Sequence, residues 1–374
     1  MKSNRIFGLD VLRSFAILSV VYAHGYPIVK HHFPNYLVIA FDGVSIFFVL
    51  SGYLIGGILI RSFDQPLPLR LSKLFNFWLR RWMRTLPAYF VVLLVLIAVF
   101  VLTTGHLPSH VSRYFYFSQN LASPHPEFFA EAWSLAVEEW FYLLIPMCIF
   151  CTIRFTSISA RQAFLTWSIG VIVAVTLFRI FRAQVLDLET VNSWDSMLRK
   201  QVLTRLDSIM FGVLGAFLSI YHTVAWRKHR MMLLVFGILI LVFDKMAAES
   251  WTSYRNYVTF TATSLGTLLL LPKLGELQTP KHRMFLIFGF VSSISYSMYL
   301  LNFSLVKYII VDYLIQILPT AYTRDAVVYA AYWAITVGLA YLVYKTVELP
   351  FLNLRDYRTL PEGKAGDMAT RPAV

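Results

Sequence analysis

The chain has 374 residues, 58% of them hydrophobic and 16% aromatic, and only 14% charged, with a mean hydropathy of +0.63. A soluble protein carries about a quarter charged residues, so the composition excludes a soluble enzyme and points to a polytopic membrane protein. The net charge of +13 does not indicate nucleic acid, because the basic residues lie between apolar runs, where they encode topology.

Ten apolar segments follow one another, at 6–28, 36–60, 86–104, 135–153, 164–183, 206–222, 231–247, 256–272, 284–311 and 326–346. Each is near the ~20 residues a span needs. The predicted fold is all-α, a membrane bundle of about ten helices with both termini cytoplasmic. With the N-terminus inside, about 21 Lys and Arg fall on the inner side and about 8 on the outer, a clear positive-inside bias. One membrane domain, 1–357, is expected, followed by a polar, disordered tail at 358–374. The first segment lacks a small-residue cleavage pattern and reads as a retained helix. The outer stretches near 105–133 and 184–205 are too short to fold as separate domains.

The first segment carries Arg13 and His24. Eleven residues are almost three helical turns, so both side chains point to nearly the same side, about 16 Å apart along the axis. Either residue alone fits a snorkelling arginine or an interfacial histidine. The aligned pair inside a membrane favours function, because ionisable groups there are costly. In the second segment, Gly43 and Gly52 permit close helix approach, and Ser45 and Ser51 can hydrogen-bond across an interface. Asp42, near its outer end, could neutralise a neighbouring cation such as His24.

The inner loop before the third segment holds Arg80, Arg81 and Arg84, followed by Pro87. Guanidinium groups engage phosphates bidentately, and a basic cluster beside anionic lipid equally fixes topology. Both readings fit. In the fourth segment, Glu138 and Glu139 point about 100° apart on a helix. One is expected to face the bundle interior, near an imidazole it could orient, and the other a headgroup region or loop. Cys148 and Cys151, the only cysteines, lack further ligands nearby and read as packing residues; no metal site is expected. Tyr296, Ser297 and Tyr299 fit interhelical hydrogen bonding. Glu348 could pair with a basic loop.

These motifs, in this order, resemble the acyltransferase-3 family of integral-membrane O-acyltransferases over nearly the whole chain. Arg13 through His24 matches R-x10-H, and Gly43 to Tyr53 resembles G-V-x-x-F-F-x-x-S-G-Y. Arg80 to Pro87 resembles R-R-x-x-R-x-x-P. Trp133 to Leu143 resembles W-S-L-x-V-E-x-x-F-Y-L, with Glu138 at the recurring carboxylate. Arg205, Asp207 and Gly212 resemble the R-x-D…G start of a later helix. The chain departs at Asn302, where many members have histidine, so no acid–base role carries over there. It departs again at Trp140, which replaces a frequent glutamine and would alter the pocket near Glu138. The absence of an SGNH-type hydrolase domain makes it resemble the stand-alone branch.

The resemblance implies transfer of an acyl group, most often acetyl, from coenzyme A thioester to a carbohydrate or glycolipid hydroxyl, in a bacterial inner membrane. Acetyl-CoA is then a co-substrate, with no permanently bound cofactor. Arg13, Arg80, Arg81 and Arg84 would hold the donor. His24 would act as general base or as an acyl-histidine, with Glu138 orienting its ring and Asp42 the rival partner. Asp42, Asn120, Trp133 and Tyr142 would contact the acceptor. The rival class is a proton-coupled secondary transporter, since buried Arg, His and Glu also serve proton coupling. Oligomeric state is left open.

Overall fold

The computed structural model describes residues 6–32, 40–65, 70–121, 123–278, 282, 285–318 and 324–358. Lys2, Arg5 and the tail from residue 359 lie outside them. Ten helices match the ten apolar segments: α1 (Phe7–Val29), α2 (Gly43–Phe63), α3 (Leu71–Thr104), α4 (Ala132–Phe155), α5 (Ala160–Val185), α6 (Leu206–Tyr221), α7 (Arg230–Ser250), α8 (Thr259–Leu274), α9 (Leu286–Ile317) and α10 (Arg324–Asp356). All but α6 and α8 are long and apolar enough to cross a membrane; those two have 16 residues each. At 1.5 Å per residue they reach about 24 Å, short of the ~30 Å hydrocarbon core. Short helices are tolerated at this depth because protein, not lipid, surrounds them. Every regular element among the described residues is helical.

The helix ends follow local chemistry. The Asp42 carboxylate accepts the Ser45 backbone N–H and so caps α2. A capping box between Ser159 and Gln162 opens α5, satisfying two donors reciprocally. Gly105, at φ 78°, takes the left-handed conformation that terminates α3.

The largest departure from expectation is the start of α3. Residues 71–84, read as an inner loop, are helical and continuous with the span. Buried Leu74, Trp78, Thr85, Ala88, Tyr89 and Val92 fall on one face of the helix on both sides of the arginines. One buried face therefore runs from Leu74 to Leu96, interrupted by Arg81, while Arg80 lies on another face of the helix. A hydropathy threshold sees only the uniformly apolar half.

Helix α2 sits centrally and packs most extensively on α6, while α7 pairs with α8 and α1 with α9. A Cβ on Gly52 would lie 1.9 Å from the Ile209 carbonyl oxygen, and one on Gly212 would lie 2.0 Å from that of Val49. The α2–α6 crossing thus depends on two absent side chains, the small-residue mode of membrane packing. Gly212→Ala should force the helices apart, costing about 1–3 kcal/mol and lowering the melting temperature in detergent. Gly170→Ala, where nothing lies within 4 Å of the added carbon, should be neutral or slightly stabilising. Equal melting of the two variants would refute this account of the crossing.

Behind this crossing, Arg179 on α5 and Asp207 on α6 form a fully buried ion pair at 2.7 Å. Arg179 also donates to the Thr204 carbonyl and to Thr261 Oγ1. Extra hydrogen bonds of this kind are what make a buried pair tolerable. The R-x-D motif therefore starts α6 as a structural staple between three helices.

Candidate active site

Arg13 on α1, Arg81 and Arg84 on α3, and Glu138 on α4 line one cavity of about 160 Å³ in the inner half of the bundle. Arg81 and Arg84 are three residues apart and share a helix face. Arg80, about 100° further round, is exposed and is not among the lining residues. Of the three neighbouring arginines, the cavity gathers Arg81 and Arg84, together with Arg13. Apolar α2 residues form one wall, and Ser134, Tyr296 and Tyr299 lie along the other.

Arg81 is held in place by its surroundings. One amino group donates to Glu138 Oε2 at 3.4 Å and to Tyr142 Oη at 2.5 Å, and the guanidinium lies 4.3 Å from the centre of the Tyr142 ring. Ser51 meets the same tyrosine hydroxyl at 2.6 Å. Tyr142 is fully buried, with its hydroxyl engaged by Arg81 and Ser51. Arg84 makes no hydrogen bond to the described residues, and Arg13 and Arg81 are close enough to repel it electrostatically.

The two adjacent carboxylates divide differently from expectation. Glu138 lines the cavity, but Glu139 faces protein as well, not headgroups. It is buried and accepts from Trp82 Nε1 at 3.1 Å and Thr85 Oγ1 at 3.0 Å. Its role is to tie α4 to α3. Glu348 pairs with the Ser297 hydroxyl and lies close enough to Arg84, in the expected basic stretch, to attract it. Trp140 donates to the Phe117 carbonyl and points away from Glu138.

His24 lies in the outer half, half-buried, and its ring partner is neither Glu138 nor Asp42. His24 Nδ1 lies 2.5 Å from Asn302 Oδ1, with the Phe303 ring 4.3 Å away centre to centre. The Asn302 amide is oriented by logic as well as geometry. Its Nδ2 faces the carbonyls of Met298 and Tyr299, at 2.9 and 2.8 Å, which can only accept. Its oxygen must therefore face His24, and Nδ1 must carry the proton. That leaves the Nε2 lone pair as the basic atom of the ring. The Asn302 role was missed because it has no proton to exchange; its contribution is to accept one hydrogen bond.

A second unanticipated residue supports this arrangement. Just beyond Leu301, α9 widens into a π-helix over Asn302–Val311, which frees backbone N–H groups. The Glu131 carboxylate accepts those of Phe303 and Ser304 at 2.9 and 2.7 Å, and the Ser304 hydroxyl too. Glu131, just before α4, is 2% exposed; burial pushes its carboxyl up to about 7, against the pull of the Ser304 hydrogen bonds.

The expected acceptor contacts are not open surfaces. Asn120 is fully buried and braces two outer stretches, donating to the carbonyls of Trp133 and Lys200 at 3.1 and 2.6 Å. Trp133 is 3% exposed, with the Arg199 guanidinium 5.1 Å from its ring centre. Asp42 pairs with Arg199 at 3.3 Å. Burial acts to raise its carboxyl, but Arg199 and Arg205 outweigh that and hold it down at about 2. Exposure of Asn120, Trp133 and Tyr142 depends on tertiary packing that no local pattern encodes.

His24 is not among the residues lining the inner cavity. Tyr299, at the outer end of that cavity, receives the Ser134 hydroxyl at 2.6 Å and donates to the Glu131 carbonyl at 3.1 Å. Its own carbonyl holds Asn302. The arginines and the imidazole thus sit on opposite sides of Tyr299. Among the described residues, no three His, Cys, Asp or Glu side chains converge as metal ligands.

A family model described as Acyltransferase domain matches residues 6–345. A Staphylococcus aureus (strain COL) protein named "Putative O-acetyltransferase SACOL0978" is 27% identical over 94% of this chain and 58% of its own length. Two others match shorter stretches at 34% identity: the Bacillus subtilis (strain 168) protein named "Putative peptidoglycan O-acetyltransferase YrhL", over 42% of this chain and 25% of its own, and O-acetyltransferase OatA of Staphylococcus aureus (strain NCTC 8325 / PS 47), over 38% and 24%. The chain thus spans less than two thirds of the length of these relatives. No solved structure matches it. Every residue of the inner cavity, His24 and Asn302 falls within the matched 6–345, and the chain belongs to the acyltransferase-3 family of multi-pass membrane proteins.

Proposed function

We propose that this chain is an O-acetyltransferase that moves an acetyl group from acetyl-CoA, reaching the cavity from the inner face, to a carbohydrate hydroxyl of the cell envelope. The observation that carries this reading is the gathering of Arg13, Arg81 and Arg84 on one cavity, with Glu138 as the lining carboxylate. A bound anion would relieve the repulsion that Arg84 meets from Arg13 and Arg81, and guanidinium fork geometry suits phosphate oxygens. The pyrophosphate and phosphate of coenzyme A supply such an anion. The pantetheine arm would run outward along the apolar α2 wall and pass Tyr299 to bring the thioester to His24.

There the acceptor hydroxyl gives its proton to His24 Nε2 while its oxygen attacks the thioester carbonyl. The tetrahedral intermediate collapses with cleavage of the C–S bond. Coenzyme A leaves as a thiolate that takes up a proton, and the sugar carries the new ester. The relatives' names, O-acetyltransferase and peptidoglycan O-acetyltransferase, support both the acyl group and the envelope acceptor.

The test is acetyl-CoA turnover by the purified chain in vesicles, with the labelled acetyl group tracked to a glycan hydroxyl. Solute movement without acetyl-CoA consumption would favour a transporter. Arg84→Lys keeps the charge but loses the fork. It should raise the KM for acetyl-CoA about tenfold, the equivalent of one charge-assisted hydrogen bond. An unchanged KM would return Arg84 to topology alone.

A further inference from the structure

Ala130 and Glu131, just before α4, clasp the start of the π-helix in α9. Glu131 Oε1 accepts the backbone N–H groups of both Phe303 and Ser304, at 2.9 and 2.7 Å. Its Oε2 accepts from the Ser304 hydroxyl, whose oxygen takes the Ala130 N–H at 3.1 Å. The Glu131 carbonyl in turn receives the Tyr299 hydroxyl at 3.1 Å. Glu131 is buried and does not line the arginine cavity. The carboxylate's partners are N–H and O–H donors of α9, none of them a cation.

The clasp bears on His24 through a choice of hydrogen-bond partners. In an unbroken α-helix the Phe303 N–H would bond the Tyr299 carbonyl, four residues back, and the Ser304 N–H that of Leu300. Glu131 accepts both N–H groups here. The Tyr299 carbonyl receives the Asn302 side-chain amide at 2.8 Å, and the same amide reaches the Met298 carbonyl at 2.9 Å. The oxygen of that amide accepts the Nδ1–H of His24. Phe303, the next residue, lays its ring against the imidazole. One carboxylate oxygen thus anchors the backbone between the two side chains that fix the His24 ring.

Without an acceptor at position 131, two buried N–H groups would be left unpaired, which is costly. The nearest remedy is the ordinary α-helical pattern. The Phe303 N–H then turns back to the Tyr299 carbonyl and competes there with the Asn302 amide. Tightening the wide π turn also rotates Asn302 and Phe303 about the helix axis, away from their present places against His24.

We infer that Glu131 is a positioning residue of the transfer reaction: by taking the Phe303 and Ser304 N–H groups onto one oxygen, it sets Asn302 and Phe303 against His24 and keeps the ring proton on Nδ1. This rests on the acetyl-transfer reading, in which His24 Nε2 is the base. The role is to accept hydrogen bonds, not to carry charge or a proton, so two conservative replacements separate. Glu131→Gln keeps the reach: its oxygen still accepts both N–H groups, and its amide donates to the Ser304 oxygen. Glu131→Asp keeps the carboxylate but, one methylene shorter, draws its oxygens back from α9.

The test uses the full chain in nanodiscs, with NMR-active nitrogen in its histidine rings and the His24 signals identified by their loss in His24→Ala. At alkaline pH, where the ring is neutral, the nitrogen shifts report which ring atom holds the proton. Wild type and Glu131→Gln should show His24 protonated on Nδ1, and Glu131→Asp a mixture of the two tautomers. In parallel, Glu131→Asp should lower kcat about 10²-fold, the cost of a misplacement of about 1 Å, with the KM for acetyl-CoA unchanged. Glu131→Gln should keep most of the wild-type rate. An aspartate variant whose ring stays protonated on Nδ1, or a glutamine variant that loses kcat as the aspartate does, overturns the inference. If the aspartate variant fails to fold, Glu131→Gln decides alone, since loss of its Nδ1–H signal or of its kcat is equally fatal. The tautomer readout needs no acetyl-CoA. An unmoved ring in an active transferase therefore sinks the clasp alone. A ring that follows Glu131 in a chain that turns over no acetyl-CoA sinks the transferase reading and the positioning role with it.

Discussion

Replacing His24 with alanine should reduce acetyl transfer by about 10²–10⁴-fold, the range a positioned general base contributes, with the protein still inserted and folded. The side chain is half-buried and its hydrogen bond goes to one partner, Asn302. Its loss removes little packing, unlike loss of fully buried Tyr142 or Arg179. The binding of acetyl-CoA should survive, because Arg13, Arg81 and Arg84 lie beyond Tyr299 in the other half of the bundle. Two measurements decide: equilibrium binding of labelled acetyl-CoA and transfer of its acetyl group. Retained transfer would eliminate His24 as the base. If binding and transfer vanished together with the melting transition, the residue would be structural. A covalent acyl-histidine predicts a further species, an acetylated His24 trapped by rapid acid quench, that general-base catalysis does not form.

How much of this could be read from the chain alone depends on where each property is encoded. Span positions were legible because apolar length is local: all ten expected segments meet a helix. The alignment of Arg13 with His24 was legible for the same reason, since helix geometry fixes their relative direction. The inner part of α3 was not, because an amphipathic stripe carrying Arg80, Arg81 and Arg84 falls below any hydropathy threshold. Pairing was harder still. Glu138 and His24 are both ionisable and both on membrane helices, yet they lie on opposite sides of Tyr299. No periodicity records which helices neighbour one another. Asn302 stood in plain view, a carboxamide within an apolar run, and the lack of a titratable proton drew attention away from it. Glu131 could be suspected only once the π-helix had exposed two backbone N–H groups for it to accept.

Asn302→Leu carries the second large expectation, because it separates the presence of the imidazole from its orientation. Leucine has the same number of side-chain heavy atoms and the same branching as asparagine and is apolar, so the buried site stays filled. The Met298 and Tyr299 carbonyls that Asn302 bonds belong to the same helix and can adjust locally. What is lost outright is the acceptor for His24 Nδ1–H. The ring can then carry its proton on either nitrogen, and the Asn302 restraint on its rotation against Phe303 is gone. Removing tautomer control in this way can cost about 10⁴-fold in catalytic histidines. A loss of about 10²-fold or more in kcat is expected here, with the KM for acetyl-CoA unchanged. Asn302→Asp discriminates further. Its second carboxylate oxygen would face the two carbonyls that now accept from Nδ2, an arrangement that repels unless the acid is protonated. The aspartate variant should therefore recover activity only as pH falls far enough to protonate that carboxyl, provided His24 stays neutral. A leucine variant with normal kcat, or an aspartate variant indifferent to pH, would dissociate Asn302 from the chemistry and leave His24 oriented by Phe303 alone.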